Sequence, residues 1–241
     1  MRGTAEQALA SRDVAGLTFT AEMYGLQLDQ LAALLGLTWP QARALATRWR
    51  SRGLAESARL GPGPAWVWLT RSGLVACGVR YTSSSPALAR LEHIRAVTAV
   101  RLALEALRAY REAGAHWRSE RHLRARVGAH ARDHIPDGEV HWPDSAPVAW
   151  AGECWAIEAE RTAKTVARTA AIMRELLSRT GDYGCPAAET HVPGVPARHA
   201  RAVYLCSSAA LGTVTRARDA LGNLGARIEI RDLPASAEIA P

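Results

Sequence analysis

LQLDQLAALLGLTWPQARALATRWRSRGL, residues 26–54, reads as two helices joined by a tight turn. Leu28, Leu31 and Leu35 recur at three- and four-residue steps and give the first helix one apolar stripe. Gly36 permits the turn between the helices. Thr38 is a good N-cap, Pro40 suits a first turn, and Gln41 completes a Thr-x-x-Gln capping box. The second helix then buries Ala42, Leu45 and Trp49. Its outer side presents Gln41, Arg43, Ala44, Thr47 and Arg48. Amide and guanidinium groups together on one helix face can reach base edges and phosphates in a major groove.

Working outward, Leu54–Leu60, the turn Gly61-Pro62-Gly63-Pro64 and Ala65–Leu69 read as strand, tight turn, strand, with a short helix starting near Thr70. Helix pair, hairpin and the closing LTRSGL of residues 69–74 resemble, in that order, the winged helix-turn-helix family over about residues 17–80. The resemblance implies double-stranded DNA as partner. Gln41, Arg43, Thr47 and Arg48 would make the helix contacts, and Arg59 would lie near the wing tip. A winged helix used for protein contacts or dimerisation is the alternative.

The bulk properties agree with a polyanionic partner without requiring one. The chain has 241 residues and a formal net charge of +7, and a basic protein gains affinity for nucleic acid by releasing condensed counterions. The cations are nearly all arginine, Lys164 being the only lysine, and with the abundant Ala and Gly this points to a GC-rich genome. Part of the arginine excess is therefore codon usage. No stretch approaches the ~20 apolar residues needed to span a bilayer. The opening MRGTAEQALASRD lacks the apolar block of a signal peptide, so a cytoplasmic protein is expected. Cys77, Cys154, Cys185 and Cys206 form no CxxC pair and read as free thiols, mostly in the core.

Residues 1–16 are polar and small, and helical patterning is expected from Phe19, with three helices before residue 54. YTSSSP, residues 81–86, reads as a hinge. A long connecting helix is expected over 87–112, on which Leu88, Leu91, Ile94 and Val97 recur at three-residue steps. Beyond it, strands are predicted at Glu139–Trp142, Trp155–Glu160, Ala202–Cys206 and Arg227–Arg231, and helices at 162–179 and 213–223, with a Pro-rich connection at Gly184–His199. This alternation predicts an α/β domain over residues 113–233 with a mixed central sheet, and an α+β chain overall.

That second half carries a carboxylate constellation. Glu120 is placed on a helix in HWRSERHLR, Asp137 precedes a strand in HIPDGEVHW, and Glu158 and Glu160 lie on a strand in WAIEAERTAK, with Lys164 just beyond. Strand residues two apart face the same side, so Glu158 and Glu160 point together and Asp137 can join them from a neighbouring strand. The layout resembles the PD-(D/E)xK nuclease superfamily. By that resemblance Asp137 and Glu158 would be metal ligands for Mg²⁺ or Mn²⁺, Glu120 the upstream helix carboxylate, and the catalytic set Asp137, Glu158, Glu160 and Lys164. The chain departs from the motif at Glu160, where a lysine is expected. An ordinary turn at Asp137-Gly138 and a wet edge-strand face at Glu158 and Glu160 are the plain alternatives.

The wider pattern of LEHIRAVTAVRLAL, WRSER, HIPDG, AIEAERTAKTVAR, AVYLCSS and ARIEIRDLP is similar to the replication–relaxation family of actinobacterial plasmids and integrative elements. That resemblance implies a DNA-binding role in plasmid replication or transfer, with metal-dependent DNA nicking as an open addition. The competing expectation is a transcriptional regulator whose catalytically inactive second domain mediates dimerisation or ligand sensing.

Overall fold

The computed structural model describes residues 9–127, 133–180 and 197–234. Most of the Pro-rich connection, Cys185 and the first eight residues lie outside the described residues. The fold is mixed α+β and divides into two compact units, the first ending at Leu91 and the second beginning at Glu92.

The first unit runs α1 (Ser11–Glu22), β1 (Leu26–Gln27), α2 (Leu28–Leu35), α3 (Trp39–Ser51), β2 (Ala55–Ala58), β3 (Trp66–Leu69) and α4 (Arg71–Ala76). The three strands form an antiparallel sheet in the order β1-β3-β2. α1 begins eight residues before the expected Phe19. Asp13 in its first turn explains the extension, because its Oδ1 accepts both the Trp49 indole N–H and Arg48 Nη2 at 3.0 Å. Gly36 ends α2 at φ 60°, ψ 39°, the left-handed cap that favours glycine. The Thr38 backbone N–H donates to Gln41 Oε1 at 2.8 Å, closing the capping box. Thr70 caps α4 by accepting the Gly73 N–H.

Two sequence expectations fail around residues 81–112. YTSSSP is no free hinge: Ser83 Oγ donates to the Leu69 carbonyl at 2.9 Å, Pro86 is buried, and the Arg90 guanidinium lies over the Tyr24 ring. A fragment carrying the whole first unit therefore ends after Leu91, not at Tyr81. The long helix is divided into α5 (Leu91–Ala106) and α6 (Arg108–Ala113) by the extended residue Leu107, and all but its first residue falls in the second unit.

The second unit continues with β4 (His116–Ser119), α7 (Glu120–Val127), β5 (Gly138–His141), β6 (Cys154–Glu160), α8 (Val166–Ser178), β7 (Arg201–Cys206), α9 (Ser208–Asp219) and β8 (Ile228–Asp232). Its sheet has the order β4-β5-β6-β7-β8. The β4/β5 and β5/β6 pairs are antiparallel, and the β6/β7 and β7/β8 pairs parallel. Parallel neighbours require long crossovers, and α8 and α9 supply them. Both helices pack on the face carrying Ala156, Ala202, Tyr204, Cys206 and Ile228. β4 and the two-residue β1 are absent from the sequence expectation.

Gly138 fixes the start of β5. A Cβ there would sit 2.0 Å from Cζ2 of the buried Trp117 ring. Gly138→Ala is expected to destabilise the second unit by about 1–3 kcal/mol, the usual cost of overpacking, measured by urea unfolding. In a Trp117→Leu background the same substitution should cost much less. An equal cost in both backgrounds would show that the ring is not the obstacle.

Candidate functional site

Two surfaces carry the residues that the sequence singles out. On α3, Ala42, Leu45, Ala46 and Trp49 are buried, while Gln41, Arg43, Ala44, Thr47, Arg48 and Arg50 are exposed. These exposed side chains are not equally available. Gln41 is turned back onto the Thr38 amide, and Thr47 Oγ1 donates to the Arg43 carbonyl at 2.9 Å. Arg48 is paired with Asp13, although half of its side chain remains exposed. Arg43 projects outward, and so does Arg50, which the sequence reading left out. Its signal was available, since Arg50 lies seven residues after Arg43, two helical turns along the same face. Trp39, 44% exposed, stands at the start of the helix. The hairpin beside α3 is braced by the buried Gln27, whose Nε2 donates to the Pro62 and Pro64 carbonyls at 3.2 and 3.0 Å. Arg59 is exposed next to that turn.

The second surface is the α8/α9 face of the large sheet. Cross-strand register puts Glu158 opposite Tyr204 and Glu160 opposite Cys206. Both glutamates are buried, at 4% and 6% exposure, on the central strand of the sheet. They are no wet edge. Asp137 joins the row from the start of β5. Its Oδ2 accepts the Ala159 N–H at 2.8 Å, and its Oδ1 lies 2.8 Å from His93 Nε2 on α5. Glu158 Oε1 lies 2.6 Å from His134 Nε2, and the His134 backbone N–H donates to Glu175 Oε1 on α8. Glu160 is ion-paired with Lys164, which reaches back from the loop before α8.

Glu120 is buried at the start of α7. Its backbone N–H donates to the Asp137 carbonyl at 3.1 Å, but its carboxylate pairs along its own helix with Arg124 Nε at 2.7 Å. Glu120 thus positions the Asp137 backbone through its N–H, and its carboxylate is ion-paired with Arg124. The residues that sequence reasoning missed are His93, His134 and Tyr204.

Burial and charge set distinct protonation states along the row. Burial pushes the Asp137 carboxyl up, but the His93 hydrogen bond and charge, the Ala159 N–H and the nearby His134 outweigh it and hold Asp137 below the usual carboxylate range. Burial dominates at Glu158. With repulsion from Asp137 it overcomes the pull of His134 and Lys164, and the carboxyl is pushed up to about 7. His134 moves up as well, because Glu158, Asp137 and Glu175 outweigh its own burial. A carboxyl that titrates near neutrality beside an imidazole is chemically a general acid–base pair. Tyr204 adds a buried hydroxyl with no hydrogen-bond partner among the described residues, and burial and the three neighbouring carboxylates hold it well above the usual phenol range.

These observations test the row as a metal site. Three carboxylates on one face and a buried hydroxyl are hard oxygen donors, so the set fits Mg²⁺ or Mn²⁺ in donor type. The oxygens of Asp137, Glu158 and Glu160 do not all lie within 4.8 Å of one another, so holding an ion would take rotation of these side chains away from His93, His134 and Lys164. Such an ion, when bound, lowers the pKa of its water and offsets charge on phosphoryl oxygens.

No protein-family model, curated protein or solved structure matches the chain. No helix among the described residues is long and apolar enough to cross a membrane.

Proposed function

We propose that the chain is a DNA-binding protein of the replication–relaxation type, with a winged helix-turn-helix as its first unit and a PD-(D/E)xK-like domain as its second. The observation that carries this reading is the α2–Gly36–α3 pair, with the exposed Arg43 and Arg50 on α3 beside a braced hairpin ending in Arg59. The N-terminal part of such a second helix is what meets base edges in a major groove, and Trp39 and Arg43 stand there. The strand order β1-β3-β2, with β2 and β3 forming the hairpin, supports the winged arrangement. The net charge of +7 supports a polyanionic partner.

A second reading, hydrolysis of a DNA phosphodiester, is favoured by one feature of the second unit. Asp137 at the head of β5 and Glu158 on the adjacent β6 share a face with a Glu158–His134 acid–base pair and the Tyr204 hydroxyl. Asp137 and Glu158 would hold the metal, and His134, released from Glu158, would be the base that takes a proton from the attacking water.

One preparation tests both readings. The full chain should shift a duplex in a gel, with affinity falling steeply as salt rises. Absence of any shift at low salt would overturn the DNA-binding reading. With supercoiled plasmid and Mg²⁺ or Mn²⁺, nicking by the wild type and its loss in Asp137→Asn, with the duplex shift unchanged, is the outcome expected of a nuclease. Equal nicking by both proteins, or none by the wild type, removes the catalytic reading and leaves the DNA-binding one standing.

A further inference from the structure

A second cluster lies on the same sheet face, at the end away from Glu160. Glu139 on β5, Cys154 at the start of β6 and His199 just before β7 each offer one ligand atom within 4.8 Å of the other two, the one such set among the described residues. His141, two residues beyond Glu139, places Nε2 2.9 Å from Glu139 Oε2 and 3.5 Å from Cys154 Sγ. Nothing in the DNA-binding or phosphodiesterase reading uses these groups.

The orientation of His199 is the informative detail. Its Nδ1 lies 2.9 Å from the Leu176 carbonyl and its Nε2 2.9 Å from Glu139 Oε1, and the residue is fully buried. Carbonyl and carboxylate oxygens only accept, so both ring nitrogens donate in the metal-free chain; Nε2 is turned into the cluster and gives up its hydrogen when an ion takes the place of that contact. A backbone acceptor on one ring nitrogen with the other aimed at a shared point is how metal-ligating histidines are held. Glu139 is prepared in a similar way. Arg198 grips both of its oxygens, through Nε at 2.7 Å and Nη2 at 3.0 Å. A carboxylate has about four lone-pair sites, and the two left over face His199 and His141.

We propose that Glu139, Cys154 and His199, with His141 as fourth donor, bind one Zn²⁺-class ion. Thiolate and imidazole favour a borderline-soft divalent ion over Mg²⁺ or Ca²⁺. Bonds of about 2.0–2.3 Å put tetrahedral ligand atoms about 3.3–3.8 Å apart, so Glu139, Cys154 and His199, whose ligand atoms lie within 4.8 Å of one another, close on an ion through side-chain shifts of about one ångström, and His141 moves in from the side of Glu139 and Cys154. Four protein ligands leave no open position, which makes the site structural. It ties β5, β6 and the start of β7 together, the three strands whose register aligns Asp137, Glu158 and Tyr204. The Arg198 fork stays in place and orients the ligating carboxylate.

The test uses the full chain, stripped with a chelator and titrated with Co²⁺ and then Zn²⁺. One equivalent of Co²⁺ should give tetrahedral d–d bands and a thiolate-to-cobalt charge-transfer band, both removed by one equivalent of Zn²⁺. Cys154→Ser should lose the charge-transfer band, and His199→Gln should bind at least tenfold more weakly. Asp137→Asn and Cys77→Ser should keep it. To keep the test independent of variant folding, the wild type is also alkylated with and without Zn²⁺ and its thiols mapped by mass spectrometry, and Cys154 should be the one protected. No charge-transfer band in the wild type, a band that persists in Cys154→Ser, or Zn²⁺ protection of a different cysteine would each overturn the site.

Discussion

Glu139→Leu is expected to destabilise the second unit by about 3–5 kcal/mol, measured by urea unfolding with a chelator present so that no metal contributes. Glu139 is fully buried and accepts from Arg198, His199 and His141. Burial alone would push its carboxyl up, but the hydrogen bonds from His141, His199 and Arg198 and the charge of His199 hold it far below the usual carboxylate range. Leucine approximates its volume and removes every acceptor. The Arg198 side chain, only 14% exposed, would then lose a buried counter-charge. An uncompensated buried charge costs several kcal/mol, whereas replacing both partners of a buried pair with apolar residues is often close to neutral. Glu139→Leu combined with Arg198→Leu should therefore recover part of the loss. A single-variant cost below about 1 kcal/mol would show that the arginine relaxes to solvent and that Glu139 does not hold this end of the sheet.

The parts of this molecule that were legible in the sequence are those encoded by local rules. The α2–α3 pair is announced by a helical period, one glycine able to adopt positive φ, and a capping box within sixteen residues. The placement of Glu158 and Glu160 on one face follows from strand alternation. What local rules do not carry is which side of a strand is covered. Glu-Ala-Glu reads equally well as a solvated edge, and only the crossovers through α8 and α9 make β6 central and bury both carboxylates. His93 lies 44 residues from the aspartate that it contacts, and Tyr204 meets Glu158 only through parallel register. No spacing within a motif reports such pairs. β4 escaped for a different reason: His-Trp-Arg-Ser is a four-residue edge strand with polar neighbours, too short to set up a period. Cys77, Cys154 and Cys206 are free thiols, as their spacing suggests, but spacing does not report what surrounds them. The absence of CxxC excludes only ligands close in sequence, and Cys154 finds Glu139 and His199 from strands at distant positions. The Arg48 assignment was limited by the opposite problem, since a helical wheel shows that it points outward but not that Asp13 of α1 lies within reach.

That pairing decides how the DNA-binding surface should be probed. Arg43→Ala combined with Arg50→Ala is expected to lower duplex affinity on the order of 10²-fold, two contacts at 1–3 kcal/mol each being enough. If both arginines touch phosphates, the slope of log affinity against log salt should shrink by about two. If Arg43 reaches a base edge, affinity should fall more for the preferred sequence than for random duplex, with a smaller change in slope. Arg48→Ala is the internal comparison. It removes a half-exposed ion pair to Asp13, worth at most about 1 kcal/mol, and Asp13 keeps its bond from Trp49. Its effect should therefore appear as a small loss of stability, with the salt slope nearly unchanged. Arg59→Ala should reduce the slope by about one without altering stability, since the side chain is exposed and Gln27, not Arg59, braces the hairpin. Wild-type affinity and slope in the Arg43/Arg50 double variant would remove α3 from the interface and shift the search to other basic surfaces. The opposite ranking, with Arg48→Ala alone abolishing binding of a fully folded chain, would mean that the Asp13 pair opens when DNA is bound.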